Sequence, residues 1–246
     1  MDLVVVILAI GVGAFVKGVT GTGLPQIAIP VMATVVGVER AVMIMAIPGI
    51  ASNLWLVGTH RHTRHETRDL GVLLATGVVG ALVGTVALTS VDGRWLSLVL
   101  AVVILAYVVV ATRRPDLRLS PALTRFTSPP VGLLAGGLQG ATGVSGPLLS
   151  TYLHGFALTP IAYVFSLSTL FLVFSAVQVA TLAGLGLYTV TLLRDSALAL
   201  IPMSVMLPLG TRLSRRIPVA TFRRLILVGL AVTAAALVYG ALSAES

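Results

Sequence analysis

KGVTGTGLPQ at residues 17–26 and QGATGVSGPL at residues 139–148 decide how this chain folds. With a shift of 122 residues, Gly18 meets Gly140, Thr20 meets Thr142, Gly21 meets Gly143 and Pro25 meets Pro147. Gly23 then falls on Ser145, Lys17 on Gln139, and, further along, Asn53 on Ser175. Each decapeptide interrupts a long apolar run, 3–36 and 131–156. Glycine lets the backbone break, and proline is favoured in the first turn of the helix that follows. Interrupted segments at matching places in two halves point to the binding site of a transporter.

The rest of the chain agrees with that reading. Of its 246 residues 57% are hydrophobic and only 10% are charged, with a mean hydropathy of +1.05. A soluble domain is about 45–50% apolar and about 25% charged. The composition therefore excludes a soluble enzyme, a disordered chain and a nucleic-acid-binding domain, despite the net charge of +8. It predicts an all-α polytopic membrane protein with the lipid bilayer as its main partner. Residues 39–59, 70–90, 95–112, 160–183, 196–210 and 220–241 read as simple spans; 196–210 is short, with Pro202 and Pro208 set to kink it. The polar stretch 113–130 reads as a linker between a first repeat, 1–112, and a second, 131–246. The start of the chain carries an acid and no basic cluster, so it reads as a structural segment rather than a cleaved signal. With no cysteine in the chain, thiolate and disulfide chemistry are excluded. No cofactor and no metal are expected.

The arginines set the topology. Arg61, Arg64 and Arg68 lie in one loop, Arg113, Arg114, Arg118 and Arg125 in the linker, and Arg212, Arg215, Arg216, Arg223 and Arg224 in a third segment. The other connections carry at most one arginine each. If each broken run crossed the membrane once, the third basic segment would face away from the other two. If each broken run instead enters and returns on one side, all three are cytoplasmic, as the positive-inside bias demands. Each half then holds one re-entrant broken-helix hairpin and three transmembrane helices. Three spans is an odd number, so the two repeats are inverted, and both termini lie outside.

Lys17 is the only lysine, and it sits beside the first break. The eight acids all fall at termini, in loops or at span edges. A buried cation with no protein anion implies either a neutral amine or a ligand anion. The surroundings favour the anion. Unpaired N–H groups at the start of each return helix carry positive potential, and Thr20, Thr142 and Ser145 add hydroxyls. Gln139 supplies an uncharged donor where the first half has Lys17. The expected site is Lys17, Thr20, Gly21, Gly23, Gln139, Thr142, Gly143 and Ser145, with Asn53 and Ser175 behind the tips. Its expected ligand is a small oxyanion.

Residues 18–30 and 137–152, each opening an apolar half, resemble the paired signature of the TauE/SafE sulfite exporter family. The first tip has Gly21-Thr22-Gly23 with Pro25 and Pro30; the second has Gly143-Val144-Ser145-Gly146 with Pro147, and Tyr152 stands where the later proline would be. The resemblance implies a transporter of the bacterial inner membrane that exports sulfite or an organosulfonate such as sulfoacetate. Thiosulfate or sulfate is the alternative cargo.

A rhomboid-like serine protease would use Ser145 and His154. Nine residues along one helix, however, place them more than about 10 Å apart. His60, His62 and His65 have metal-like spacing, but arginines interleave them and a solvated loop is the expectation. The cell interior is negative, so the field drives an anion outward. Efflux by alternating access is expected.

Overall fold

The computed structural model describes residues 2–113 and 119–213, together with Leu227, Ala231, 234–239 and 241–242. The elements are helices: α1 (Asp2–Thr20), α2 (Leu24–Val36), α3 (Val38–His60), a 3-10 turn (Arg61–Glu66), α4 (Leu70–Ser90), α5 (Gly93–Arg113), α6 (Pro121–Thr142), α7 (Gly146–His154), α8 (Pro160–Gly184) and α9 (Val190–Leu213). The breaks fall where the decapeptides place them. Gly21 (φ 80°), Gly23 (φ 112°) and Gly143 (φ 68°) adopt left-handed backbone that a side chain would strain. Pro25 and Pro147 sit in the first turns of α2 and α7. The starts of α2 and α7 lie 122 residues apart, and so do those of α3 and α8.

Among the described residues four helices are long and apolar enough to cross a membrane: Val38–Glu66, Leu70–Ser90, Pro160–Gly184 and Val190–Leu213. Their outward faces carry exposed Leu54, Val79, Val83, Val86 and Val205. Contiguous apolar surface of that kind has no stable partner in water and suits lipid. The chain is an all-α membrane protein.

Two expectations shift in detail. The stretch read as the short span 196–210 belongs to a helix of 24 residues that runs through Arg194 and Asp195. Asp195 pairs with Arg40 at 2.8 Å, and Arg194 is exposed near the start of the helix. The stretch read as linker is helical from Pro121, because the Ser120 hydroxyl accepts from the Leu123 N–H and proline suits the first turn. Most of the 220–241 run lies outside the described residues.

The helices run in two opposed sets. At one end, Arg40 near the start of α3 meets Asp195 near the start of α9, and Tyr188 donates to the Met43 carbonyl at 3.4 Å. At the other end Thr159, before α8, donates to Glu66 at 2.6 Å. There Arg68 donates to the Leu119 carbonyl at 3.2 Å and covers the Phe156 ring at 4.4 Å. The Leu119 N–H also donates to the Gly155 carbonyl at 2.7 Å. Leu119 precedes α6 and Gly155 follows α7, so this broken pair leaves and returns at the same end.

α1 lies along α9 and α6 along α4, while α3 packs on α8. Glycines make the first two contacts close. A Cβ on Gly18 would strike the Leu207 carbonyl, one on Gly136 the Gly77 carbonyl, and one on Gly80 the Leu133 carbonyl. Such small-residue contacts let membrane helices approach backbone to backbone. Gly80 and Gly84 do this on α4, Gly77 makes room for the Phe174 ring, and Gly71 faces open space.

Candidate functional site

Lys17 lies in the last turn of α1, where Gly18 brings that helix against α9. It is 2% exposed. Its Nζ donates to Asn53 Oδ1 at 2.6 Å and to Ser52 Oγ at 2.9 Å, both on α3. Among the described residues the ion pairs are Arg40–Asp195 and Arg68–Asp69, so Lys17 has neutral partners only.

The second half builds a parallel chain without the charge. Ser145 Oγ donates to Gln139 Oε1 at 2.8 Å, and Gln139 Nε2 donates to Ser175 Oγ at a long 3.4 Å. Lys17 and Gln139 are thus matched residues in matched roles, each reaching the helix behind its tip. Gln178, three residues beyond Ser175 on the same face of α8, donates Nε2 to the carbonyls of Gln139 (3.0 Å) and Gly140 (2.9 Å). It thereby satisfies carbonyls near the C-terminal end of α6, where the helix dipole is negative. Thr142 donates to the Leu138 carbonyl at 2.8 Å and accepts from the Val144 N–H at 3.3 Å. No side chain caps the start of α2 or α7.

A small cavity lies between these elements. Asn53, Gln139, Gly143, Ser175 and Gln178 line it, with Pro25, Val42, Met45 and Phe171 among its apolar walls. The space open to the centre of a water-sized sphere is about 10 Å³, room for about one water. A sulfur oxyanion is larger than that, so holding one would need the walls to move apart. Side-chain amides, the Ser175 hydroxyl and the Gly143 backbone converge on it.

The family model described as Sulfite exporter TauE/SafE matches residues 5–237. The chain belongs to the TauE/SafE sulfite exporter family. No curated protein and no solved structure matches it. TauE/SafE proteins are membrane transporters of the sulfite-exporter type, and the long apolar helices fit that family.

In this TauE/SafE chain, four residues of the sequence-derived site line the cavity: Asn53, Gln139, Gly143 and Ser175. Lys17 stands one hydrogen bond behind Asn53, and Ser145 one behind Gln139. Gly21 faces Val164 and Gly23 faces Val16, so they shape the first tip away from the cavity wall. The Thr142 hydroxyl is used on backbone. The side chain of Thr20 lies outside the described residues.

Three residues escaped the sequence reading: Ser52, Gln178 and Gln26. Gln26 is buried and packs its amide against Gly146, so the first tip touches the second. The available signal was a lone polar side chain inside an apolar helix. The protease pairing has no geometry here: the Ser145 hydroxyl is bonded to Gln139, and the His154 ring stacks on Tyr163 with centroids 4.6 Å apart.

Proposed function

We propose that this protein exports sulfite, or an organosulfonate such as sulfoacetate, across the bacterial inner membrane by alternating access around the cavity between the two broken helices. The observation that carries the reading is Lys17, a buried cation with neutral protein partners, one hydrogen bond from a cavity lined by amides and a hydroxyl. A cation in that setting is stabilised by an anionic ligand. The broken helices add positive potential at the starts of α2 and α7.

Two inverted repeats, 1–112 and 131–246 about a cytoplasmic linker, would supply the two alternating states. Support comes from the 122-residue spacing of the helix starts and from the paired contacts α1 on α9 and α6 on α4. It comes also from the return of the α6–α7 pair to the end it left. The Arg-rich loops then face the cytoplasm. The inside-negative potential favours outward movement, by about 2.3 kcal/mol per negative charge per 100 mV.

The test is binding of the purified protein to sulfite, sulfoacetate, thiosulfate, sulfate and phosphate. Sulfite or an organosulfonate should bind most tightly, and Lys17→Ala should abolish the preference. Equal, weak binding of all five would contradict the reading.

A further inference from the structure

The hydrogen bonds around the cavity fix which atoms remain for a ligand. An ammonium only donates, so Asn53 turns its oxygen to Lys17 and keeps its NH₂ for the cavity it lines. Ser145 donates to the Gln139 oxygen, so the Gln139 amide nitrogen turns to Ser175. The Ser175 oxygen accepts, and its hydroxyl hydrogen is left. Gln178 uses its nitrogen on two carbonyls, and its amide oxygen is left. The lining side chains therefore keep donors on Asn53, Gln139 (its second N–H) and Ser175, while Gln178 has both N–H groups engaged and keeps only its oxygen.

The charge is equally restricted. Lys17 is bonded to Ser52 and Asn53 from α3, and its neighbour Gly18 meets Leu207, Gly210 and Thr211 of α9, all neutral. Arg212, in the last turn of α9, is exposed. Glu39, Arg40 and Asp195 lie at the opposite end of their helices. Among the described residues, one cation thus stands beside the cavity with no carboxylate against it.

Resting on the export reading, we propose that the cavity takes a compact monoanion carrying one proton: hydrogensulfite rather than the sulfite dianion or sulfate. One negative charge balances Lys17, whereas a second would be buried without a partner. The Asn53 NH₂ and Ser175 hydroxyl donate to two anion oxygens. The Gln178 oxygen accepts the anion's own hydrogen. A bare dianion would set lone pair against lone pair at Gln178 and leave that acceptor unsatisfied. Lys17 acts here as a positioning residue that orients Asn53 and supplies the charge.

The experiment is calorimetric binding to the purified full chain across a pH range spanning the second ionisation of sulfite. Methanesulfonate, a monoanion throughout without an ionisable proton, and sulfate, a dianion throughout, are the references. Above that ionisation the apparent sulfite affinity should fall about tenfold per pH unit, as the monoanion disappears. Methanesulfonate should bind more weakly but with an affinity that does not change with pH, and sulfate at least about tenfold more weakly than hydrogensulfite. Gln178→Met should bring hydrogensulfite down to the methanesulfonate level; should that variant not fold, the wild-type titration decides alone. A sulfite affinity that is flat or rises with pH, or sulfate binding as tightly, would overturn the inference. A parallel fall for methanesulfonate would also overturn it, by assigning the titration to Lys17. Binding of none of the three at any pH is a different result and would remove the export reading itself.

Discussion

The Lys17 ammonium lies 2.6 Å from the amide oxygen of Asn53, and Asn53, not Lys17, lines the cavity. The two residues form one unit. Lys17→Ala should weaken sulfite binding about ten- to a hundredfold, the range of a charge-assisted hydrogen bond worth about 1.5–3 kcal/mol. Arg125→Ala, at an exposed position, should bind as wild type. Asn53→Ala should cost as much as Lys17→Ala, and the double variant little more than either, because the losses are shared. Additive losses would mean that the two residues act separately.

The α4–α6 contact makes a stability prediction. A methyl group on Gly136 would meet the Gly77 carbonyl, and one on Gly80 would meet the Leu133 carbonyl. Backbone atoms cannot step aside as a flexible side chain does. Gly136→Ala and Gly80→Ala should each cost about 1–3 kcal/mol, the usual range for overpacking, seen as a lower thermal midpoint in detergent. Gly71→Ala, in open space, should leave the midpoint unchanged or slightly raised.

Topology can be read with single cysteines, since the chain has none of its own. Arg64→Cys and Arg125→Cys should be shielded from an impermeant thiol reagent added to intact cells. Glu39→Cys and Val190→Cys, exposed at the other end, should react. Labelling of Arg64→Cys from outside would sink the cytoplasmic placement of the basic loops.

The helix breaks were legible because their causes are local. A glycine with positive φ and a proline in a first turn leave a mark within ten residues, and both decapeptides carry it. The span 196–210 was read short because Arg194 and Asp195 look like loop residues. Only the tertiary partner Arg40 shows why α9 can include Asp195. The start of α6 was in view as Ser120-Pro121, a cap followed by a first-turn proline, but the polar composition around it read as linker. In the site, Lys17, Gln139, Asn53 and Ser175 followed from the 122-residue shift. Which of them touch the cavity did not follow, because that depends on side chains meeting across 36 residues of chain. Gln178 has no polar counterpart in the first half, where the shift places Leu56, so the comparison of halves passed over it.

Export itself is tested most directly by sulfite flux from proteoliposomes loaded with sulfite at neutral pH. Valinomycin and a potassium gradient set the interior negative, zero or positive. A carried monoanion gains about 2.3 kcal/mol per 100 mV, a driving force of about fiftyfold in concentration. Efflux should be fastest with the interior negative and slowest with it positive, and Lys17→Ala vesicles should leak no faster than protein-free ones. Sulfite loss equal to that of protein-free vesicles, or the same at all three potentials while following an imposed pH gradient, would contradict potential-driven export of an anion through this site.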